Sequence, residues 1–207
     1  MTRALLVIDV QESFRQGPLW SAISNPGIAS DVARLVDSAR ASGDLVVWVL
    51  HSEPGSGTAF DPAGGHVRYI DPLKPQAGEP QLTKTSHNAF TTTNLQQLLT
   101  QQGITEVVVC GIRTEQCCET TARVASDLGY QVTFVTEATA TSPIAHRGAP
   151  AGQTAGQLLA DPRTLPAIAV IERTEYALAG RFATIATIAE VTGQATAPAP
   201  VFDRRAS

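Results

Sequence analysis

The chain has 207 residues, 43% of them apolar, and a net charge of −4, enough for one well-buried core and short for two. An acidic balance with no Lys/Arg cluster argues against a phosphate-backbone partner, so no nucleic acid is expected. The longest apolar stretches, ALLVI and LVVWVL, have strand length rather than membrane-span length, and the start of the chain lacks the pattern of a signal peptide.

Four short, nearly continuous apolar runs, 4–10, 45–51, 107–111 and 131–137, read as strands covered on both faces. Helical patterns lie between them at about 28–42, 91–102 and 114–128, followed by Gly43, Gly103 and Gly129, the usual left-handed stop. Thr164 with Pro166 suggests a helix start, running to Leu178 before Gly180. A last strand over 182–187 and a short helix from Ile188 complete the order. Alternating strands and helices imply a three-layer α/β sandwich around a parallel sheet. Segments 52–80 and 138–163 are rich in Gly, Pro, Ser and Thr, and connections of that length usually carry binding functions. One domain over 1–192 is expected, with 193–207 as a flexible tail.

Of the three cysteines, Cys110 sits inside a strand run and Cys117 and Cys118 are neighbours, which gives no disulfide framework and suits a reducing cytoplasm. Cys118 falls on a helical stripe with Ala122 and Ala125 and reads as packing. Cys117 is turned about 100° from that stripe, near the helix N-terminus, where a thiolate is favoured. An activated cysteine needs a base and a group that holds it. Asp9 ends the first strand run, and Lys84 is one of two lysines against thirteen arginines; Lys, unlike Arg, can exchange protons. Asp9, Lys84 and Cys117 each follow a strand-like stretch, and ligands of open α/β sheets bind beyond strand C-termini. His87 is the competing base, because Cys–His pairs are widespread.

DVQESF at 9–14, KTSHNAF at 84–90, GIRTEQCCETTA at 111–122 and the later ERTEYALAGRFATIATIAEV together resemble the isochorismatase-like cysteine hydrolases, relatives of nicotinamidase and N-carbamoylsarcosine amidohydrolase, over roughly residues 3–192. The resemblance implies a six-stranded parallel sheet in the order 3-2-1-4-5-6, with the active site at the switch point beside strand one. It assigns Asp9 as base, Lys84 as the charge-stabilising partner and Cys117 as nucleophile. A cis peptide is implied at Ile112–Arg113, and the backbone N–H groups of Arg113 and Cys117 form the oxyanion hole; a Thr114 cap would compete for the Cys117 N–H. The reaction implied is hydrolysis of a small-molecule C–N bond, amide, carbamoyl or lactam, through a thioester. A homodimer or larger homo-oligomer is implied as well. Phe14, Phe90 and Arg113, with Trp20 and the 139–143 loop, are candidate pocket walls.

The chain departs from the nicotinamidases where they carry an Asp-x-His metal motif. It has His51-Ser-Glu53 there, with Asp61 and His66 beyond. Imidazole and carboxylate are zinc donors, but this spacing is common by chance, and no metal or other cofactor is expected. Members that cleave a vinyl ether lack the thiol, so Cys117 favours C–N hydrolysis. A redox-sensing thiol and a catalytically idle assembly subunit are the alternatives, and both leave Asp9 and Lys84 without a role.

Overall fold

The computed structural model describes residues 2–193, so the tail expected over 193–207 lies, beyond Gly193, outside the described residues. Six parallel strands, β1 (Arg3–Ile8), β2 (Leu45–His51), β3 (Gln81–Lys84), β4 (Glu106–Ile112), β5 (Gln131–Ala140) and β6 (Thr184–Ala186), form one sheet in the order β3-β2-β1-β4-β5-β6. This is the expected topology, and alternation along β1 shows why it has three layers. Ala4, Leu6 and Ile8 join a core with residues of α2 (Leu95–Gln101), α3 (Glu119–Asp127) and α5 (Ala167–Leu178). Leu5 and Val7 face the other way, into a core with α1 (Ile28–Ala41) and α6 (Ile188–Thr192). Period-two side chains thus feed two separate apolar cores from one strand. Among the described residues no helix is long and apolar enough to cross a membrane.

Several boundaries differ from the sequence expectation, each for a local reason. β3 is an edge strand, QLTK, whose side chains are largely exposed before Lys84, so it lacks the apolar run that marks the central strands. The helix expected over 91–102 starts only at Leu95, because the preceding threonines bond to loop backbone instead. Thr92 Oγ1 accepts from the N–H groups of Thr85 and Ser86, and Thr93 Oγ1 donates to the Ala89 carbonyl, the competition with helix typical of such hydroxyls. Thr164 donates to the Leu158 carbonyl rather than capping α5, whose N-cap is Pro166. The 138–163 segment contains a short helix, α4 (Ala155–Ala160), with a capping box between Thr154 and Gln157. β5 runs to Ala140, three residues past expectation, and β6 is shorter than the expected 182–187.

Backbone geometry at the C-terminal ends of β1 and β4 brings these two strands unusually close. Asp9 follows β1 with φ of 52°, a left-handed conformation that Asp tolerates better than most residues. It ends the strand two residues before the expected Val10. On β4, Gly111 pairs with Ile8 and has φ of +130°, and a Cβ there would lie 1.9 Å from the Ile8 carbonyl oxygen. Only glycine fits. Gly111→Ala is expected to lower the unfolding free energy by about 3 kcal/mol or more, through combined strain and overpacking. Urea denaturation checks this, and a loss under about 1 kcal/mol, the range of an ordinary surface change, would contradict it.

Candidate active site

The C-terminal ends of β1, β3 and β4 converge on one buried cluster. Lys84 ends β3 and Asp9 follows β1; both side chains have zero exposure, and Lys84 Nζ lies 2.7 Å from Asp9 Oδ2. Beyond β4 the Ile112–Arg113 peptide is cis, and a five-residue π-turn, Thr114–Cys118, leads into α3. In that turn the N–H groups of Gln116 and Cys118 both donate to the Arg113 carbonyl. Cys117 is 7% exposed, and Lys84 Nζ donates to its Sγ at 3.4 Å. Cys118 is fully buried in the α2/α3/α5 core, and Cys110 is likewise buried, within the sheet.

The Lys84 ammonium is held by four neighbours. Besides Asp9 and Cys117 it donates to the Ser86 carbonyl at 3.1 Å and meets His51 Nδ1 at 3.4 Å. An ammonium can only donate, so Nδ1 accepts, and the ring proton sits on Nε2, which faces Glu53 Oε1 at 3.5 Å. Burial, reinforced by the Lys84 charge, pushes the His51 pKa down and keeps the ring neutral. Asp9 Oδ1 has no aligned hydrogen-bond donor, which leaves the carboxylate with accepting capacity inside the cluster.

The ionisation of the sulfur corrects the sequence reading. Position near a helix N-terminus suggested a resting thiolate, yet burial first, and then the Asp9 charge, push the Cys117 pKa up to about 12 against the pull of Lys84. Cys117 is therefore a thiol at rest. Asp9 is raised above its ordinary value by burial, opposed by the Lys84 ammonium and the Cys117 thiol. One cation compensates one anion here, and in a dry site a second anion is costly.

Thr114 does not cap the turn, and the N-cap is Arg113, in extended conformation. Thr114 Oγ1 donates instead to Thr139 Oγ1 on β5 at 2.8 Å, so the hydroxyl is directed away from the Cys117 N–H. His87, the competing base, is exposed on the loop after β3. Its position in the motif next to Lys84 does not bring it into the buried cluster.

A cavity of about 390 Å³ lies on the Glu53 and Arg113 side of the cluster, with Phe14, Trp20, Phe60 and Ser142 also among its walls; Asp9, Lys84 and Cys117 do not line it. Phe14 packs edge-on against Phe60 with centroids 5.0 Å apart, and the Arg113 guanidinium lies 6.0 Å from the Phe14 ring centre. Phe90 is not on this wall. It is buried in the α2/α3/α5 core and stacked on Tyr130, because its segment folds under the sheet edge rather than over it. Phe60 was not legible from the sequence, since nothing marks one aromatic inside a long loop. Gln11 was also missed. Its buried amide donates to the His51 carbonyl and to Ser13 Oγ and accepts from the His51 N–H, tying the end of β1 to β2.

The altered metal motif does not assemble a site. His51 uses Nδ1 toward Lys84 and Nε2 toward Glu53, and among the described residues no three His, Cys, Asp or Glu side chains gather as metal donors. His51, Glu53 and His66 therefore do not fit a metal, and no chemical step below runs through one.

Residues 3–161 match the family model described as the isochorismatase domain. A streptothricin hydrolase of Streptomyces noursei is 38% identical over 144 residues, 69% of this chain and 56% of that protein, so the chain spans little more than half of that relative's length. Nicotinamidase 3 of Arabidopsis thaliana is 34% identical over 151 residues, 67% of this chain and 73% of its own. Among solved structures, an isochorismatase from Pseudomonas putida KT2440 superposes with a TM-score of 0.78 at 31% identity, covering 91% of this chain and 89% of that one. Fold and sequence together define an α/β enzyme of the hydrolase class. The chain belongs to the isochorismatase family.

Proposed function

We propose that the protein is a cysteine-dependent hydrolase that cleaves a C–N bond of a small molecule, an amide, carbamoyl or lactam, through a thioester intermediate. The observation that carries this reading is the meeting of a carboxylate, an ammonium and a thiol from three distant stretches of chain in one buried cluster. Two relatives are named streptothricin hydrolase and nicotinamidase, the latter for an amide substrate, which favours C–N chemistry. The cytoplasm as its place, a homodimer or higher homo-oligomer as its form, and independence from nucleic acid, membrane and cofactor belong to the same proposal.

In this mechanism Asp9 starts ionised and Cys117 protonated. As Sγ attacks the carbonyl carbon, its proton passes to Asp9, so the cluster keeps one anion beside the Lys84 cation throughout. The carbonyl oxygen takes up the negative charge facing the backbone N–H groups of Arg113 and Cys117, where one such donor is worth about 3 kcal/mol. Asp9 returns the proton to the leaving nitrogen, the C–N bond breaks, and ammonia or an amine departs. Water then gives a proton to Asp9 and attacks the thioester carbon. Collapse expels the sulfur, which regains its proton from Asp9, and the free acid leaves.

The base role fixes the acid limb of the pH profile. Asp9 must be ionised in the free enzyme, and its pKa is raised from the ordinary 3.8. Thus kcat/KM is expected to fall as pH drops through a value above the ordinary carboxylate range, and a limb at or below 3.8 would contradict the assignment. The same shift means that Asp9 contributes stability below pH 3.8 that is lost as pH rises through its folded pKa.

A panel of primary amides, N-carbamoyl amines, ureas and lactams, assayed for release of ammonia or amine, tests the reading. Turnover of at least one class is expected. No turnover of any class, together with reversible peroxide oxidation of Cys117 that alters association with a protein partner, would favour the redox-sensor alternative.

A further inference from the structure

Among the described residues, the arginines without a carboxylate partner are Arg68, Arg113, Arg147 and Arg181. Arg68, Arg147 and Arg181 are exposed, so water serves their charge, whereas Arg113 is partly buried. Its guanidinium meets the ring of Phe14 at 6.0 Å and donates no hydrogen bond to a described residue. A guanidinium has five N–H donors, and taking them from water without an acceptor is costly. None of its nitrogens is sealed from solvent, so a ligand can reach them.

The acids closest in chain or cavity are engaged elsewhere. Glu115, two residues further along the same turn, accepts from Thr141 Oγ1 at 2.6 Å, and Glu53 faces His51 and Thr58.

Arg113 also lines a second cavity, of about 480 Å³, within the size range of small-molecule sites. Unlike the first cavity, whose walls include Glu53, this one has no acidic wall among the described residues. Arg113 is its one charged residue there, Gln116 adds a side-chain amide that bonds to no described residue, and Leu19, Pro143, Ile144 and Leu158 supply apolar surface. The space is positive at one point and apolar around it. A carboxylate matches the fork of a single guanidinium, whereas a phosphate dianion would bring a second charge with no second cation in the wall to meet it.

We propose that the second cavity binds a small apolar carboxylic acid as its anion, with the carboxylate on the Arg113 guanidinium, Gln116 as a further donor, and the apolar body against Leu19, Ile144 and Leu158. The site goes beyond the hydrolase reading, because its ligand need not be cleaved.

Calorimetric titration of the full chain at neutral pH with matched acids and alcohols tests this: cinnamate against cinnamyl alcohol, and cyclohexylacetate against cyclohexylethanol. Each acid is expected to bind at least about tenfold more tightly than its alcohol, the scale of one charge-assisted hydrogen bond. Arg113→Gln is expected to abolish that preference, and Arg113→Lys, which keeps the charge, to retain part of it. Ala149→Trp, filling the second cavity, is expected to block the acids, while Ala59→Trp, in the first, leaves their affinity within a few-fold. No binding of either acid, equal affinities within both pairs, or an undiminished preference in Arg113→Gln would overturn the proposal. Acid binding lost in Ala59→Trp but kept in Ala149→Trp would overturn it as well, by moving the ligand to the other cavity. None of these readouts requires turnover, so the site stands or falls separately from the hydrolase reading.

Discussion

Cys117→Ala is expected to lose on the order of 10⁴-fold or more of kcat, the scale seen when a covalent nucleophile is removed, while its unfolding transition stays close to wild type. Cys118→Ala is expected to do the reverse. Its side chain is fully buried in the core formed with α2 and α5, so truncation costs about 1–2 kcal/mol of stability through lost packing and leaves turnover within a few-fold. Two adjacent thiols thus separate into chemistry and packing by helical phase alone. Steady-state kinetics and urea denaturation on the two variants check the split. Equal loss of activity from both, with neither unfolded, would undo it.

The second large effect concerns the buried pair. Asp9 and Lys84 have no exposed surface and stand 2.7 Å apart, so Lys84→Met leaves an uncompensated buried carboxylate and is expected to cost about 3–5 kcal/mol of stability. Replacing both, as Asp9→Asn with Lys84→Met, removes the stranded charge and is expected to restore most of that loss. Neither variant is active: Lys84→Met leaves the base without its charge partner, and in the double variant loss of the base alone costs about 10²–10⁴-fold. Stability returning while catalysis does not is the signature of a pair kept for function. If the double variant is as unstable as Lys84→Met, the cost lies in packing rather than charge.

Much of the sheet was legible because four strands are covered on both faces and show as unbroken apolar runs, as in ALLVI and LVVWVL. β3 was not, since an edge strand with exposed Gln81 and Thr83 has no such run. α4 carried a readable signal, the Thr154-x-x-Gln157 capping box, hidden within a segment whose composition suggested only loop. Asp9 and Cys117 were legible because each follows a clear apolar strand run, Lys84 joined them through the KTSHNAF motif and the scarcity of lysine, and the 3-2-1-4-5-6 order makes the three strand ends neighbours.

The protonation state was not legible. Helix position argued for a thiolate, whereas the dominant influences on Cys117 are burial and the Asp9 charge, and these exist only once distant segments are packed together. Phe90 failed for a related reason. Sequence proximity to Lys84 does not say which side of the sheet edge a side chain takes, and the structure gives it to the core against Tyr130. Phe60 lies in a long segment with no periodic pattern, so its place in the cavity wall emerges only from the folded chain.

The most direct test is the intact mass of the denatured protein, quenched during turnover with the amide, carbamoyl and lactam panel. The expected result is an added mass equal to the acyl fragment, mapped by peptide digestion to Cys117 and missing from Cys117→Ala. Hydrolysis of a panel member under conditions that accumulate no adduct on Cys117, or an adduct mapped to any other residue, would contradict a covalent mechanism built on that sulfur.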